Sequence, residues 1–266
     1  TEDVYQPEDY RRSQEYTRVA TRFDFVSNSF SLVVLLVFWF GGGFDFLDRL
    51  VRSWGFIPLV DGLLYAGILA AAYGLLGVPF SIYATFVIEA RFGFNRTTPR
   101  TFVVDLVKGV VLGTLLGAPL LSAVLLLFQY AGAYAWLYVW AAVTLFSLAV
   151  SYVAPNWIMP LFNKFTPMEP GELRDAILSY AKSVDFPLKN VFVMDGSRRS
   201  TRGNAFFTGF GRNKRIALFD TLIAKHTVNQ MVSVLAHEIG HHKKKHIVQG
   251  MTIGILHSGF VLLLAS

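Results

Sequence analysis

The chain has 266 residues, of which 53% are hydrophobic and only 16% are charged. Soluble domains usually carry about 25% charged residues, so this composition argues against an ordinary soluble protein. The net charge is +6, but the basic residues lie in polar segments beside apolar runs. That distribution is typical of the positive-inside bias of membrane proteins and argues against a nucleic-acid partner. The chain contains no cysteine, which excludes disulfides and thiolate metal sites.

Long runs without charged side chains predict membrane-spanning helices. No Asp, Glu, Lys or Arg lies between Lys108 and Lys164, or between Asp61 and Glu89. A helix needs about 20 apolar residues to cross a bilayer. In chain order, the predicted spans are 29–47, 62–88, 104–128, 134–157 and a fifth that begins near Ile247 and continues to Ser266. Gly41-Gly42-Gly43 interrupts the first, so a re-entrant or interfacial segment is the alternative there.

These spans divide the chain into three parts. Residues 1–157 hold a polar segment and about four spans, residues 158–246 form a polar domain, and residues 247–266 begin a further span. The side that holds the polar domain also holds most of the basic residues. The positive-inside bias therefore predicts a multi-pass protein of the inner, cytoplasmic membrane with this domain in the cytoplasm. We also expect a natural N-terminus before Thr1, because no start or signal peptide is present.

The polar domain combines helical and strand patterns. Residues 171–184 place apolar side chains at helical spacing, and three strand-like runs follow at Val191–Met194, Asn204–Thr208 and Arg215–Phe219. Residues 209–213 are typical of a hairpin turn between the last two. Thr227 and Gln230 then fit a capping box ahead of a long helix. A small sheet followed by a helix suits a protease, because a sheet edge can hold an extended peptide.

The long helix carries the sequence His237-Glu238-Ile239-Gly240-His241, an H-E-x-x-H motif. Two imidazoles four residues apart lie on one helix face and can bind the same Zn²⁺ ion, and the glutamate can act on the water that attacks the substrate. The pattern arises by chance in roughly one such chain in a hundred. The alternative is a helix face with two ordinary histidines and a solvated glutamate.

A zinc peptidase site needs a third protein ligand, and the sequence does not supply an obvious one. His246 lies nine residues after His237, and continuous helical geometry predicts it on the opposite face. No Asp or Glu follows Glu238. The remaining alternatives are an upstream carboxylate, such as Asp195 or Asp220, and a glutamate beyond Ser266. The second is favoured, since a chain that stops within an apolar run is expected to continue.

Other functional classes have less support. The G-x-S-x-G, Walker and G-x-G-x-x-G motifs are absent, which argues against a serine hydrolase and a nucleotide-driven pump. A multi-span transporter or channel predicts charges or helix breaks at corresponding positions of two halves. The predicted spans are interpreted as lacking intramembrane charge, and no repeat is visible. A catalytically silent scaffold with a structural zinc helix remains a further alternative.

Several segments beyond the H-E-x-x-H motif resemble the integral-membrane CaaX prenyl protease type 1 family of zinc metalloendopeptidases. The similar segments cover almost the whole chain: residues 86–98, 160–167, 195–200, 203–207, 214–222 and 235–241. The resemblance implies a mainly α, multi-pass membrane protein, with a helical barrel around a chamber and a small α+β zinc-protease domain. It implies seven spans, of which the predicted five would be the second to the sixth. The glutamate ligand would then follow Ser266, and Asn204 and Ala205 would bind the substrate backbone.

The chain also departs from the eukaryotic pattern of that family. Arg202 stands where many eukaryotic members have histidine, and the run from Leu222 to Val234 lacks their acidic insertion. These departures suggest a prokaryotic member. The expected partners are therefore a lipid bilayer and a peptide or protein substrate, either prenylated at its C-terminus or a membrane protein under quality control.

The sequence thus predicts a zinc-dependent endopeptidase with one Zn²⁺ per chain. His237 and His241 are the predicted metal ligands, with the third outside the printed sequence. Glu238 is the predicted general base, which takes a proton from the attacking water and passes it to the leaving amine.

Overall fold

The computed structural model describes residues 7–208 and 214–264 of the chain. The chain divides into two compact units, one ending at Thr97 and the other beginning at Thr98, and each is described by itself. Both units are mainly helical, and a four-stranded sheet lies in the second.

Three helices and a π-helical turn form the first unit. In chain order they are α1 (Pro7–Phe40), α2 (Gly43–Arg52), α3 (Pro58–Tyr83) and the turn Ala84–Glu89. Hydrogen bonds tie the polar start of α1 to the end of this unit. Arg12 Nη2 donates to the Phe92 carbonyl at 2.8 Å, and the Tyr16 hydroxyl donates to the Glu89 carboxylate at 2.8 Å. The described part of the polar segment, from Pro7 onward, is therefore helical and held to the end of this unit.

The first predicted span, 29–47, ends earlier than the sequence suggested. Helix α1 stops at Phe40, and Gly42 adopts φ 73°. This left-handed conformation suits glycine because it has no Cβ. A Cβ on Gly43 would also collide with the Phe38 ring. Residues after Gly42 consequently belong to the separate helix α2.

The second unit opens with two long apolar helices. These two are α4 (Pro99–Tyr130) and α5 (Ala135–Val153), with a 3₁₀ turn (Gly132–Tyr134) between them and a π-helical turn (Ala154–Ile158) and the short α6 (Met159–Phe162) after them. Thr98 caps α4, because its hydroxyl oxygen accepts from the Thr101 amide at 3.1 Å. The break expected near residues 129–132 is present, since α4 ends at Tyr130.

Five helical segments of the described residues are long and apolar enough to cross a membrane. They are Pro7–Phe40, Pro58–Glu89, Pro99–Tyr130, Gly132–Phe162 and His246–Leu264. Each overlaps one predicted span, so the prediction of five spans is confirmed. The protein is a mainly α, multi-pass membrane protein with a small α+β domain, as the sequence indicated.

The polar domain contains a mixed four-stranded sheet. In chain order its elements are β1 (Phe165–Pro167), α7 (Glu172–Ser183), β2 (Leu188–Met194), a 3₁₀ turn (Gly196–Arg198), β3 (Ala205–Thr208), β4 (Lys214–Phe219), α8 (Asp220–Ile223) and α9 (Val228–Lys243), and the apolar helix α10 (His246–Leu264) follows it. The strand order is β1-β2-β4-β3. Strands β2 and β4 are parallel, while the two outer strands pair antiparallel. The three predicted strands are present; β1 was missed, and the predicted turn 209–213 lies outside the described residues.

One hydrophobic core joins the sheet to α7 and α9. Its most buried side chains are Ile177, Ala181, Val191, Ile216, Leu218, Met231, Leu235 and Ile239. Helix α9 contributes the last three, at a spacing of four residues that keeps them on one face. This burial fixes the rotation of α9 about its own axis and so determines which residues it leaves exposed.

Helix α10 packs closely against α5 at a glycine. The Trp140 indole Nε1 donates to the Ile255 carbonyl at 2.8 Å. A Cβ added to Gly259 would lie 2.9 Å from the same indole nitrogen. Small residues allow such close approach between membrane helices. The hydrogen bond and the glycine together set where α10 lies, and hence where the chain leaves α9.

Gly259→Ala is expected to destabilise this contact. The methyl group would displace the indole, and overpacking of this kind costs about 1–3 kcal/mol. Gly254→Ala is the matched control, because nothing lies within 4 Å of the Cβ added there. That variant should be neutral or slightly stabilising, since alanine favours a helix over glycine by about 1 kcal/mol. Thermal unfolding in detergent measures both, and equal effects would contradict the packing argument.

Candidate metal and substrate site

A capping box starts α9, as the sequence predicted. The Gln230 side-chain oxygen accepts from the Thr227 amide at 2.9 Å, and the Thr227 hydroxyl accepts from the Gln230 amide at 3.4 Å. Two amides that the helix leaves without intrahelical partners are thereby satisfied. The start of the helix, and with it the register of the H-E-x-x-H motif, is set locally.

The two motif histidines lie on the face of α9 that points away from the core. His237 follows buried Leu235 by two residues, and His241 follows buried Ile239 by two, which is about 200° around the helix axis. Both imidazoles are exposed, whereas Glu238 is half-buried between the two faces. Because the opposite face of α9 packs in the core, the imidazoles of His237 and His241 are left exposed to solvent.

The imidazoles of His237 and His241 converge through their Nε2 atoms. These nitrogens are 3.1 Å apart, and the ring centroids are separated by 4.6 Å. Two nitrogens bound to one Zn²⁺ at 2.0–2.1 Å in tetrahedral geometry would lie about 3.3–3.4 Å apart. The pair already has nearly this separation, so the two residues fit as ligands of one zinc ion.

His246 lies beside His241, and its predicted position on the opposite face is wrong. Its Nδ1 is 2.8 Å from Nδ1 of His241, and the ring centroids are 4.9 Å apart. The prediction assumed one continuous helix. Instead α9 ends at Lys243, Lys245 adopts φ 56°, and α10 begins at His246. The break between α9 and α10 changes the direction of the chain and brings the His246 ring beside His241.

The described residues do not complete a three-ligand site. No group of three His, Cys, Asp or Glu side chains that could hold a metal occurs among them. The two upstream carboxylates accept hydrogen bonds from backbone amides. Asp195 accepts from the Lys164 amide at 2.7 Å, and Asp220 accepts from the Ser197 amide at 2.8 Å. The structure therefore gives no support to either as the third ligand.

The predicted substrate residues lie at the start of β3, an outer strand of the sheet. The Phe219 amide donates to the Asn204 carbonyl at 2.9 Å, so Asn204 directs its backbone toward β4. Direction alternates along an antiparallel strand. Ala205 and Phe207 consequently direct their amides and carbonyls toward the outer edge. The Ala205 amide donates to the Asn204 side-chain oxygen at 2.9 Å.

Strand β3 lies next to α9, the helix that carries the H-E-x-x-H motif. Strand β3 contacts α9, and the buried Ala205 side chain belongs to the core that fixes the helix. An extended peptide that pairs with the outer edge of β3 would add one strand to the sheet. The arrangement favours Ala205 and Phe207 for backbone pairing with substrate, with Asn204 contributing its side chain.

A half-buried arginine cluster was not predicted from the sequence. Arg199 makes a bidentate ion pair with Asp105, through Nε at 2.8 Å and Nη2 at 3.0 Å. It also donates to the Asn163 side-chain oxygen at 2.8 Å and to the Phe162 carbonyl at 2.7 Å. We refer to these four residues as the Arg199 cluster. It joins the segment that leads into β3 to the membrane helix α4.

The expectation that the spans lack charge is therefore wrong for α4. Asp105 and Lys108 both lie within Pro99–Tyr130, and Lys108 donates to the Leu161 carbonyl at 2.7 Å. A carboxylate within a span is expensive unless it is paired. Asp105, alone in the apolar run 102–107, was the signal that could have revealed the cluster. Its partner was not identifiable, because Arg199 is 94 residues away.

Family models match both parts of the chain. Residues 1–164 match the model described as CAAX prenyl protease N-terminal, five membrane helices. Residues 167–266 match the model described as Peptidase family M48. The two matches leave only residues 165 and 166 uncovered.

Individual relatives agree with these matches. The chain is 34% identical to CAAX prenyl protease 1 of Saccharomyces cerevisiae, over 97% of this chain and 59% of that protein. It is 38% identical to probable CAAX prenyl protease 1 of Schizosaccharomyces pombe, over 89% of this chain and 53% of that protein. The crystal structure of Ste24p from S. mikatae superposes with a TM-score of 0.92 at 35% identity, covering 99% of this chain and 63% of that one. The chain thus spans between half and two thirds of the length of these relatives.

Proposed function

The chain belongs to the CAAX prenyl protease family of M48 peptidases, and from this premise we propose that it forms part of a zinc-dependent membrane endopeptidase. The observation that carries the proposal is the convergence of the His237 and His241 Nε2 atoms, 3.1 Å apart, on the exposed face of α9. We assign these two nitrogens to one Zn²⁺ per chain. The third ligand is proposed to be a glutamate outside the printed sequence.

Each motif residue has a distinct chemical role in this proposal. A bound zinc ion supplies Lewis acidity, which polarises the scissile carbonyl and acidifies water. His237 and His241 would hold that ion through their Nε2 atoms. Glu238 takes a proton from the attacking water and returns it to the leaving amine, as general base and then general acid.

The edge of β3 is proposed to hold the substrate in extended form. Backbone pairing with Ala205 and Phe207 would bind peptides of many sequences, because backbone groups are common to all of them. Asn204 would add one side-chain hydrogen bond. Substrate binding must then displace the 2.9 Å contact between the Asn204 side chain and the Ala205 amide.

The proposed substrate is a membrane-associated protein or peptide. The relatives are named CAAX prenyl proteases, so a prenylated C-terminus is one candidate, and a membrane protein under quality control is the other. We further propose an inner-membrane location with segment 158–246 facing the cytoplasm. The excess of basic residues beside the spans supports this orientation through the positive-inside bias.

Cleavage of two matched peptides tests the activity and the substrate class together. The full-length protein in detergent is incubated with a CaaX peptide in farnesylated and unmodified form, each with and without a zinc chelator. We expect cleavage that is lost on chelation and restored by added Zn²⁺, because the histidine pair alone cannot activate water. Cleavage of both peptides would make the lipid dispensable, whereas cleavage of the farnesylated one alone would make it part of recognition. Cleavage that resists complete removal of metal would contradict the proposal.

A further inference from the structure

We propose that His246 is a positioning residue for the metal site, which holds the His241 imidazole in its metal-binding orientation. The proposal rests on the proposed function, because it assumes that His241 binds a metal. It extends that function by assigning a role to a histidine outside the H-E-x-x-H motif. The observation that carries it is the 2.8 Å separation between the Nδ1 atoms of His241 and His246.

The two nitrogens of His241 face different partners. Nε2 is directed at His237 Nε2 at 3.1 Å, and Nδ1 is directed at His246. A nitrogen that binds a metal must be unprotonated, so the proton of the neutral ring then lies on Nδ1. Nδ1 of His241 consequently donates to Nδ1 of His246. His246 accepts this hydrogen bond and carries its own proton on Nε2.

This geometry also excludes His246 as a further ligand of the same ion. An ion bound between His237 and His241 lies on the Nε2 side of the His241 ring, while His246 lies on the Nδ1 side. Metal-binding histidines regularly donate their second nitrogen to an acceptor that fixes the tautomer and the ring orientation. Here the acceptor is another imidazole, where a carboxylate or a backbone carbonyl is the usual partner.

The acceptor comes from a membrane helix and not from the polar domain. His246 is the first residue of α10, and the φ of 56° at Lys245 turns the chain so that its ring reaches His241. Helix α10 is in turn held against α5 by the bond from Trp140 to the Ile255 carbonyl. The position of the acceptor therefore depends on how α10 packs against α5. Metal binding in the polar domain is thereby linked to the packing of these two membrane helices.

Two substitutions of His246 distinguish the loss of the hydrogen-bond acceptor from a change in side-chain volume. His246→Phe keeps an aromatic ring but removes the acceptor, whereas His246→Asn can place an amide oxygen near the former Nδ1. His257→Phe is the matched control, since His257 is an exposed histidine of the same helix. Zinc affinity of each full-length variant is measured by competition with a chromophoric chelator. The visible spectrum of the Co²⁺-loaded protein reports the geometry of the ligands independently of turnover.

We expect His246→Phe to weaken zinc binding by about 10–100-fold, the range found when such outer partners are lost, and to alter the Co²⁺ spectrum. His246→Asn should recover most of the affinity and the wild-type spectrum, and His257→Phe should match wild type in both. Wild-type affinity and spectrum in His246→Phe would overturn the positioning role while leaving the proposed function intact. Equal losses in the Phe and Asn variants would also overturn it. Failure of the wild-type protein to bind zinc would instead overturn the proposed function, and this inference with it.

Discussion

Glu238→Gln is expected to remove nearly all peptide cleavage while zinc remains bound. Glutamine has nearly the same shape as glutamate and preserves the half-buried packing beside the histidine pair. It cannot accept a proton from water at neutral pH, and loss of a general base typically lowers the rate by about 10²–10⁴-fold. The expected result is therefore a fall in kcat of that size with unchanged zinc content, measured by peptide cleavage and by elemental analysis of the same preparation.

A matched substitution identifies the cause of such a loss. Glu169→Gln changes an exposed glutamate of the same domain and should leave kcat and zinc content as in wild type. If Glu238→Gln also lost its zinc, the glutamate would be acting on the metal site and not on proton transfer. Wild-type turnover by Glu238→Gln would remove Glu238 from the mechanism.

Arg199→Met is expected to cause a large loss of stability. The side chains of Arg199 and Asp105 are only 23% and 24% exposed. Removing one partner of a largely buried pair leaves the other charge without compensation, which costs about 3–5 kcal/mol when burial is complete. Since burial here is incomplete, we expect a loss of about 2–4 kcal/mol. Unfolding by heat or denaturant in detergent measures the difference.

Three further variants test the origin of this loss. Arg198→Met replaces the exposed neighbouring arginine and should change stability little, since surface charges contribute little. Arg199→Lys should recover only part, because an ammonium group cannot reproduce the planar fork that binds both Asp105 oxygens. Arg199→Met combined with Asp105→Leu should be more stable than Arg199→Met alone. If the double variant were the less stable of the two, an uncompensated Asp105 charge would not be the cause.

The Arg199 cluster also bears on substrate binding. Arg199 precedes β3 by six residues, and its hydrogen bonds hold this approach to the strand against α4 and the end of α6. A shift of the segment would move Asn204 and Ala205 relative to the zinc helix. The cluster thus provides a physical route by which a membrane helix can set the position of the substrate edge.

Local patterns accounted for much of the fold. The charge-free runs predicted the five membrane-capable helices, because a bilayer tolerates few unpaired charges whatever the tertiary arrangement. The capping box at Thr227 and Gln230 formed as expected, since both partners lie within one helical turn. The spacing of His237 and His241 likewise fixes their common face, because i and i+4 are neighbours on any α-helix.

Elements that depend on distant residues were less predictable. Strand β1 is only three residues long and includes Pro167, so its alternation is too short to distinguish it from a loop. It is a strand because β2 pairs with it. The strand order β1-β2-β4-β3 could not be predicted from local patterns either. A hairpin pattern connects strands that are consecutive in the chain, whereas β2 pairs in parallel with β4, which is not the next strand.

The sequence by itself determined that this is a multi-pass membrane protein with an H-E-x-x-H helix, because hydropathy and helical spacing act over neighbouring residues. The tertiary structure decided which residues surround that helix. It placed His246 beside His241 through a positive φ at Lys245, a conformation that a lysine gives no reason to expect. It also paired Arg199 with Asp105 across 94 residues of chain. Such contacts depend on how separate elements pack against one another, and no local pattern encodes that packing.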